Sequence, residues 1–96
     1  MLNRLRIVKK KLFEKNLKSL IYFIATDSKS RAKKFKKKLQ KSINELDYMP
    51  YKFRQSYYYD NEKIRDLIVD GYTLPYMIDE ENQKIIVLDI FKWEER

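Results

Sequence analysis

The sequence predicts an α+β fold in which an N-terminal strand and a hairpin of two helices pack on a small antiparallel sheet. Three observations support this order. Apolar residues recur at helical spacing across residues 12–46. An Asp-Gly pair at 70–71 separates two β-prone runs, and a third β-prone run follows at 84–91. The expected element order is β-α-α-β-β-β, and residues 1–96 are expected to form one domain.

The N-terminal part begins with strand-forming and then helix-forming residues. The run LRIVKK, residues 5–10, is a short strand candidate, and apolar residues recur at helical spacing from Leu12 to about Ala25. Basic residues up to Lys18 precede the apolar run LIYFIA, in the order of a secretory signal, but this run is too short and charged residues follow it directly. We therefore expect an amphipathic helix, no membrane span and a cytoplasmic location.

The first helix is predicted to stop at the segment TDSKS, and a second helix begins within it. Asp27 or Ser28 can cap its first turn, and Pro50 ends it. Its apolar stripe, at spacings of three and four residues, consists of Ala32, Phe35, Leu39, Ile43 and Leu46. Because the connection between the helices is short, we expect them to pack as an antiparallel hairpin.

Three strands are predicted in the C-terminal part. Residues 63–69 and 72–79 flank the Asp-Gly turn and form a hairpin, and the run KIIVLDIF at 84–91 is expected to lie in the interior of the sheet. Alternation then predicts an open face, turned away from the helices, made of Ile64, Asp66, Ile68, Thr73, Pro75, Met77, Val87, Asp89 and Phe91. If the faces are shifted by one residue, the gathered residues are instead Lys63, Arg65, Lys84 and Lys92.

The segment YKFRQSYYYDN at 51–61 connects the helices to the strands and contains four tyrosines. Tyrosine rings there can stack on nucleic-acid bases. They can also cover the open end of a small core while their hydroxyls stay in contact with water, which is the interpretation we favour.

Charge is distributed unevenly along the chain. Residues 1–52 have 16 Lys and Arg against 4 Asp and Glu, a net +12, whereas residues 53–96 have 6 against 10, a net −4. Such asymmetry is typical of a surface that meets a polyanion or an acidic protein. The chain contains neither Cys nor His, so it cannot form a disulfide or a thiolate or imidazole metal site, and we expect no metal and no cofactor.

The lysines of the second helix fall largely outside its apolar stripe: Lys33, Lys34, Lys36, Lys37, Lys38 and Lys41. They form either a solvated face or a surface that attracts phosphates without sequence preference. A small basic nucleic-acid-binding module without toxicity is accordingly one functional hypothesis.

Taken in order, these segments resemble the RelE/ParE family of toxins from bacterial type II toxin–antitoxin modules. The resemblance covers nearly the whole chain. LRIVKKKLFEKNLKSLIYFIATDS resembles the opening strand and first helix, and AKKFKKKLQKSINELDYMP resembles the second helix with its terminal proline. IRDLIVDGYTLPYMID and KIIVLDIF resemble the hairpin and last strand. The resemblance implies a helical hairpin on an antiparallel sheet, a cognate antitoxin as partner, growth inhibition and a role in plasmid stabilisation.

The family includes two kinds of toxin, and the resemblance leaves the target open. Some members cut messenger RNA on the ribosome, whereas ParE-like members inhibit DNA gyrase through protein contacts. RNA cleavage needs a base for the 2′-hydroxyl, cations for the phosphate and an acid for the leaving oxygen. The arginine that often follows Gly-Tyr in the family is Thr73 here, the two lysine positions of the preceding strand are Ile64 and Asp66, and the histidine after the last strand is Lys92. These departures favour the ParE-like interpretation.

The candidate functional residues follow from the hairpin, the last strand and the tail. If the protein is a ribonuclease, the catalytic candidates are Lys63, Arg65 and Lys92, with Tyr, Lys or carboxylate as acid and base. The candidates for contact with the target or the antitoxin are Arg65, Met77, Asp89, Phe91, Lys92, Trp93 and Arg96. Arg65 can bind a phosphate or a partner carboxylate, or it can pair with Glu62 or Asp79. Trp93 can be an interface anchor or can cap the core.

Overall fold

A computed structural model describes residues 5–92. Trp93 and Arg96 lie outside the described residues. The elements, in chain order, are β1 (Arg6–Lys9), α1 (Lys11–Asp27), α2 (Lys29–Asn44), a short 3-10 helix (Pro50–Lys52), β2 (Ile64–Val69), β3 (Tyr72–Asp79), β4 (Lys84–Val87) and β5 (Phe91–Lys92). The predicted α+β architecture of strand, helical hairpin and sheet is confirmed.

The two helices meet at Ser28, which ends α1 and caps α2. The hydroxyl of Ser28 accepts a hydrogen bond from the backbone N–H of Arg31 at 3.1 Å, which satisfies one of the unpaired donors at a helix start. With only this residue between them, the helices fold back on each other, so that Phe13 near the start of α1 shares a groove with Ile43 near the end of α2. The predicted cap and hairpin are correct, and α2 ends at Asn44, before Pro50.

The sheet is mixed rather than antiparallel. Its order is β1-β4-β3-β2, and β5 pairs with the end of β3 next to the hairpin turn. β2, β3 and β4 are antiparallel neighbours, but β1 lies parallel to β4, with Arg6 opposite Lys84. The interior position predicted for the run at 84–91 is confirmed for β4. That run is nevertheless interrupted, because residues 88–90 leave the sheet before β5 begins.

The β2–β3 turn has the predicted two-residue geometry. Asp70 and Gly71, the only glycine in the chain, have φ values of 51° and 84°. Positive angles at both central residues match the twist of a tight hairpin, and Asp and Gly tolerate them. The turn therefore fixes the register that places Val69 opposite Tyr72.

The core lies between the helical hairpin and one face of the sheet. Its buried residues are Phe13, Phe35, Leu39, Ile43, Leu46, Leu67, Val69, Leu74, Tyr76, Ile78, Ile85, Val87 and Ile90. The predicted stripe of α2 is confirmed, since all five of its residues are buried. Val87 was expected on the open face, but it pairs with Tyr76 on the helix-facing side and is fully buried, so that prediction is wrong.

Candidate functional site

The open face of the sheet is covered in its middle by the segment Arg54–Tyr58, which we call the covering segment. It runs along the outer edge of β2: the backbone N–H of Ser56 donates to the carbonyl of Ile64 at 2.8 Å, and that of Asp66 donates to the carbonyl of Arg54 at 3.2 Å. Pairing at this edge uses backbone groups that would otherwise be available to another strand. The Tyr58 ring packs edge-on against Phe91 with centroids 4.8 Å apart.

Asp66 accepts hydrogen bonds that hold the covering segment on the sheet. Its side chain is fully buried, and its Oδ2 accepts hydrogen bonds from the backbone N–H of Tyr57 at 3.1 Å and from Arg54 Nη2 at 3.5 Å. The Arg54 guanidinium also lies 3.7 Å from the centroid of the exposed Tyr57 ring. Asp66 and Thr73 are on the predicted face, but they are buried under the covering segment instead of forming an accessible acidic floor.

The Arg65 guanidinium donates hydrogen bonds to backbone carbonyls in the connection between α2 and β2. Its Nε donates to the carbonyl of Glu62 at 3.1 Å, and its Nη1 donates to the carbonyls of Phe53 at 3.1 Å and Tyr51 at 3.5 Å. The neighbouring Tyr76 hydroxyl donates to the carbonyl of Pro50 at 2.5 Å. Of the two alternatives for Arg65, the structural one named the side chains of Glu62 or Asp79 as partners, and the acceptors are backbone carbonyls instead.

The three ribonuclease candidates do not converge. Lys63 precedes β2, whereas Lys92 pairs with Tyr72 beside the far end of that strand. Six strand residues separate these positions along the sheet, a distance of roughly 20 Å. Arg65 is on the helix-facing side, in register with Tyr76. No phosphate can contact all three cations at once.

The tyrosines with shifted pKa values are also unsuited to act as bases near neutral pH. Burial raises the pKa of Tyr51, and a hydrogen bond with Glu80 raises it further. Burial likewise raises the pKa of Tyr59, with a further contribution from Asp89, and burial raises that of Tyr76. A general base works best with a pKa near the working pH, and these shifts move the phenols in the opposite direction.

The remaining predicted contact residues have separate environments. Met77 is half-buried on the open face opposite Ile64. Asp89 was expected on the open face, but it turns toward α1, where its Oδ1 accepts a hydrogen bond from Asn16 Nδ2 at 2.7 Å, so that prediction is wrong. Phe91 pairs with Thr73 on the open face, and Lys92 is exposed next to it. Of the four, Phe91 and Lys92 lie near each other.

Lys92 borders an accessible depression at the hairpin end of the open face. It is lined by Arg54, Ile68, Gly71 and Lys92 and has a volume of about 530 Å³; we call these four residues the hairpin-end patch. Ile68 is 43% exposed there. Sequence reasoning missed Arg54, whose one local signal is that it is a cation inside a tyrosine-rich segment.

A second concave surface lies between α1 and α2. This interhelical groove of about 320 Å³ has the apolar residues Leu17, Ile21 and Leu39 along it and lysines, including Lys36, at its rim. Leu17 and Ile21 are only half-buried. The groove thus combines accessible apolar surface with positive charge. Within residues 5–92 no helix has the length and apolarity needed to cross a membrane.

Comparison with known proteins gives one family and one fold. A family model described as the ParE toxin of type II toxin–antitoxin systems, parDE, matches residues 7–96. A solved chain of the chromosomal ParDE toxin–antitoxin system from P. aeruginosa superposes with a TM-score of 0.74 and covers 95% of this chain and 98% of its own length, at 12% identity. That likeness concerns the fold alone. No curated protein matches the sequence at a significant level.

Proposed function

The chain belongs to the ParE toxin family of type II toxin–antitoxin systems, and from this premise we propose that it inhibits growth by binding DNA gyrase in the cytoplasm until a cognate antitoxin neutralises it. Inhibition proceeds through protein contacts and requires no hydrolytic chemistry. The hairpin-end patch, together with Trp93 and Arg96 in the segment that follows Lys92, supplies the contact with the target.

The observation that carries this proposal is that the cations near the hairpin are either engaged in contacts within the fold or far apart. Arg65 donates to three carbonyls, Arg54 pairs with buried Asp66, and Lys63 and Lys92 are far apart. A site for RNA cleavage would need several such groups to converge on one phosphate. An exposed isoleucine beside a lysine and an arginine instead suits a protein partner, because interface hot spots combine apolar contact with cationic side chains.

The antitoxin is proposed to occupy the interhelical groove. An acidic amphipathic helix would place apolar side chains on Leu17 and Ile21 and carboxylates on the lysine rim, and the strongly basic N-terminal half favours an acidic partner. This assignment keeps the antitoxin site separate from the hairpin-end patch. The two can therefore be tested by different variants.

Induced expression in cells separates the two toxin mechanisms. We expect DNA replication to stop and a DNA-damage response to begin while messenger RNA remains intact in the first minutes. Early cleavage of transcripts at defined codon positions, lost in Arg65→Ala or Lys92→Ala without loss of folding, would contradict the gyrase proposal and establish the ribonuclease alternative.

A supercoiling assay with purified gyrase tests the patch itself. Ile68→Ala and Lys92→Ala should each weaken inhibition about tenfold, in keeping with an interface residue worth 1–2 kcal/mol. Leu12→Ala is the matched control, because Leu12 is 51% exposed on α1 and does not line the patch. Equal inhibition by Ile68→Ala and by the control, at equal thermal stability, would remove the patch from the proposal.

A further inference from the structure

α2 carries a concentration of positive charge, most of which lies outside both proposed protein interfaces. From Lys29 to Asn44 the helix has eight cationic residues and no Asp or Glu. All eight are exposed: Lys29, Arg31, Lys33, Lys34, Lys36, Lys37, Lys38 and Lys41. Ion pairs with other residues in the range 5–92 engage two of them, Arg31 with Asp27 and Lys38 with Asp70.

Three of these lysines form a row directly opposite the buried stripe. Phe35, Leu39 and the rest of the stripe face the sheet, and at 3.6 residues per turn Lys34, Lys37 and Lys41 point away from it. We call these three lysines the outward row. It extends roughly 10 Å along the helix axis. Lys36, by contrast, borders the interhelical groove.

The arrangement is unfavourable for the protein alone. Four pairs of lysines stand four residues apart: Lys29–Lys33, Lys33–Lys37, Lys34–Lys38 and Lys37–Lys41. Like charges at this spacing destabilise a helix. No acidic residue occupies the first turn, where a carboxylate would complement the positive end of the helix dipole. A polyanion bound along the helix would relieve the repulsion between these lysines.

The side chains around the outward row identify the kind of polyanion. Its flanks are Lys33, Lys38 and polar residues, with no exposed apolar or aromatic side chain on that face. A docked peptide would lack apolar anchors there, a membrane would lack an inserted face, and single-stranded nucleic acid would lack stacking platforms. The phosphate backbone of a duplex requires none of these, because lysine charges alone supply sequence-independent affinity.

We propose that α2 binds the phosphodiester backbone of a nucleic-acid duplex, independently of sequence, through Lys34, Lys37 and Lys41. The inference rests on the charge and exposure of this helix and does not depend on gyrase as the target. It adds a binding activity to the toxin, and its surface differs from both the interhelical groove and the hairpin-end patch.

Fluorescence anisotropy with 20-base-pair duplexes of DNA and of RNA, at NaCl concentrations from 50 to 300 mM, tests the proposal. The triple variant Lys34→Gln, Lys37→Gln, Lys41→Gln is compared with Lys11→Gln, Lys15→Gln, Lys18→Gln. The control also removes three positive charges from exposed positions, but on α1. Its substitutions are four and three residues apart, whereas those on α2 are three and four residues apart. Circular dichroism establishes that both variants are folded.

We expect the outward-row variant to reduce the slope of log affinity against log salt by about 2 to 3, since each phosphate contact contributes about 0.9. Its affinity at low salt should fall by more than tenfold, and that of the control by less than threefold. Similar binding to both duplexes indicates recognition of the backbone alone, and a preference for one identifies the biological source. Equal losses in the two variants, or tighter binding to single strands than to duplexes, would overturn the proposal.

Discussion

Individual residues around β2 show that cations near a candidate site can serve the fold. Arg65 and Tyr76 lie side by side in adjacent strands and donate hydrogen bonds to carbonyls of the chain that follows α2. A planar guanidinium suits this task because it has several donors in a fixed arrangement. Carbonyl acceptors have no sequence signature, so sequence reasoning could recognise Arg65 as important but could not identify its acceptors.

Replacing Arg65 tests this structural role. Arg65→Ala should lower the free energy of unfolding by about 1–2 kcal/mol, because three partly exposed carbonyls lose a charged donor. Arg65→Lys should recover less than half of the loss, since an ammonium cannot reproduce the fork. Urea unfolding monitored by circular dichroism measures both, with the exposed neighbour Lys63→Ala as control. Unchanged stability in Arg65→Ala together with lost growth inhibition would place Arg65 in the target interface.

At the scale of elements, α2 separates a folding face from an outer face. Its buried stripe was predictable because periodicity of 3.6 is a local property of the sequence, and all five predicted residues are buried. The strand faces were predictable for β3, where Leu74, Tyr76 and Ile78 alternate with other residues, and for β2, because the Asp-Gly turn ties its register to β3. In β4, Ile85, Ile86 and Val87 are all buried, so alternation does not show which residues face the helices. Because residues 88–90 leave the sheet, Phe91 lies on the open face although Val87 lies on the helix-facing side.

Substitutions on the two faces of α2 should have contrasting effects. Leu39→Ala, or Phe35→Ala, should lose roughly 2–5 kcal/mol of stability through lost burial and the cavity that remains. Lys37→Ala should stay within about 0.5 kcal/mol of the wild type. Thermal and denaturant unfolding would measure the difference. Unfolding of the protein by Lys37→Ala would show that the assigned face of the helix is wrong.

The repulsion along α2 predicts that added salt stabilises the protein. Four like-charged pairs at about 0.2–0.5 kcal/mol each cost on the order of 1–2 kcal/mol at low ionic strength, and 0.5 M NaCl screens most of this. The melting temperature should therefore rise by several degrees between 20 and 500 mM NaCl. The rise should be smaller in the variant with Gln at positions 34, 37 and 41. An equal rise in that variant would assign the effect to charges elsewhere.

At the scale of the whole molecule, the element order was predictable and the long-range pairing was not. β1 lies parallel to β4, and the covering segment pairs with the edge of β2. Both are contacts between distant or irregular stretches, which leave no periodic pattern in the sequence. The predicted open face was therefore correct for most of its residues but wrong in its accessibility, because Asp66 and Thr73 are covered.

The whole protein should be stabilised by its antitoxin. A partner present at 100 times its dissociation constant, and bound only to the native state, contributes about 2.7 kcal/mol, a rise in melting temperature on the order of 10 °C for a domain of this size. Differential scanning fluorimetry with and without the cognate antitoxin measures it. Ile21→Glu should abolish the shift if the interhelical groove is the site. Comparable melting with and without the antitoxin would contradict the proposed partnership.

The parallel pairing of β1 with β4 also sets when a newly made molecule can acquire its shape. Lys84 lies 78 residues further along the chain than its partner Arg6, so it is synthesised later. At about 5–20 residues per second, the ribosome takes on the order of 4–16 s to travel from one to the other. Throughout that interval β1 has no strand to pair with, so the sheet can close only after β4 has been synthesised. The finished surface, and any contact with an antitoxin that depends on it, can therefore form only once β4 is available to pair with β1.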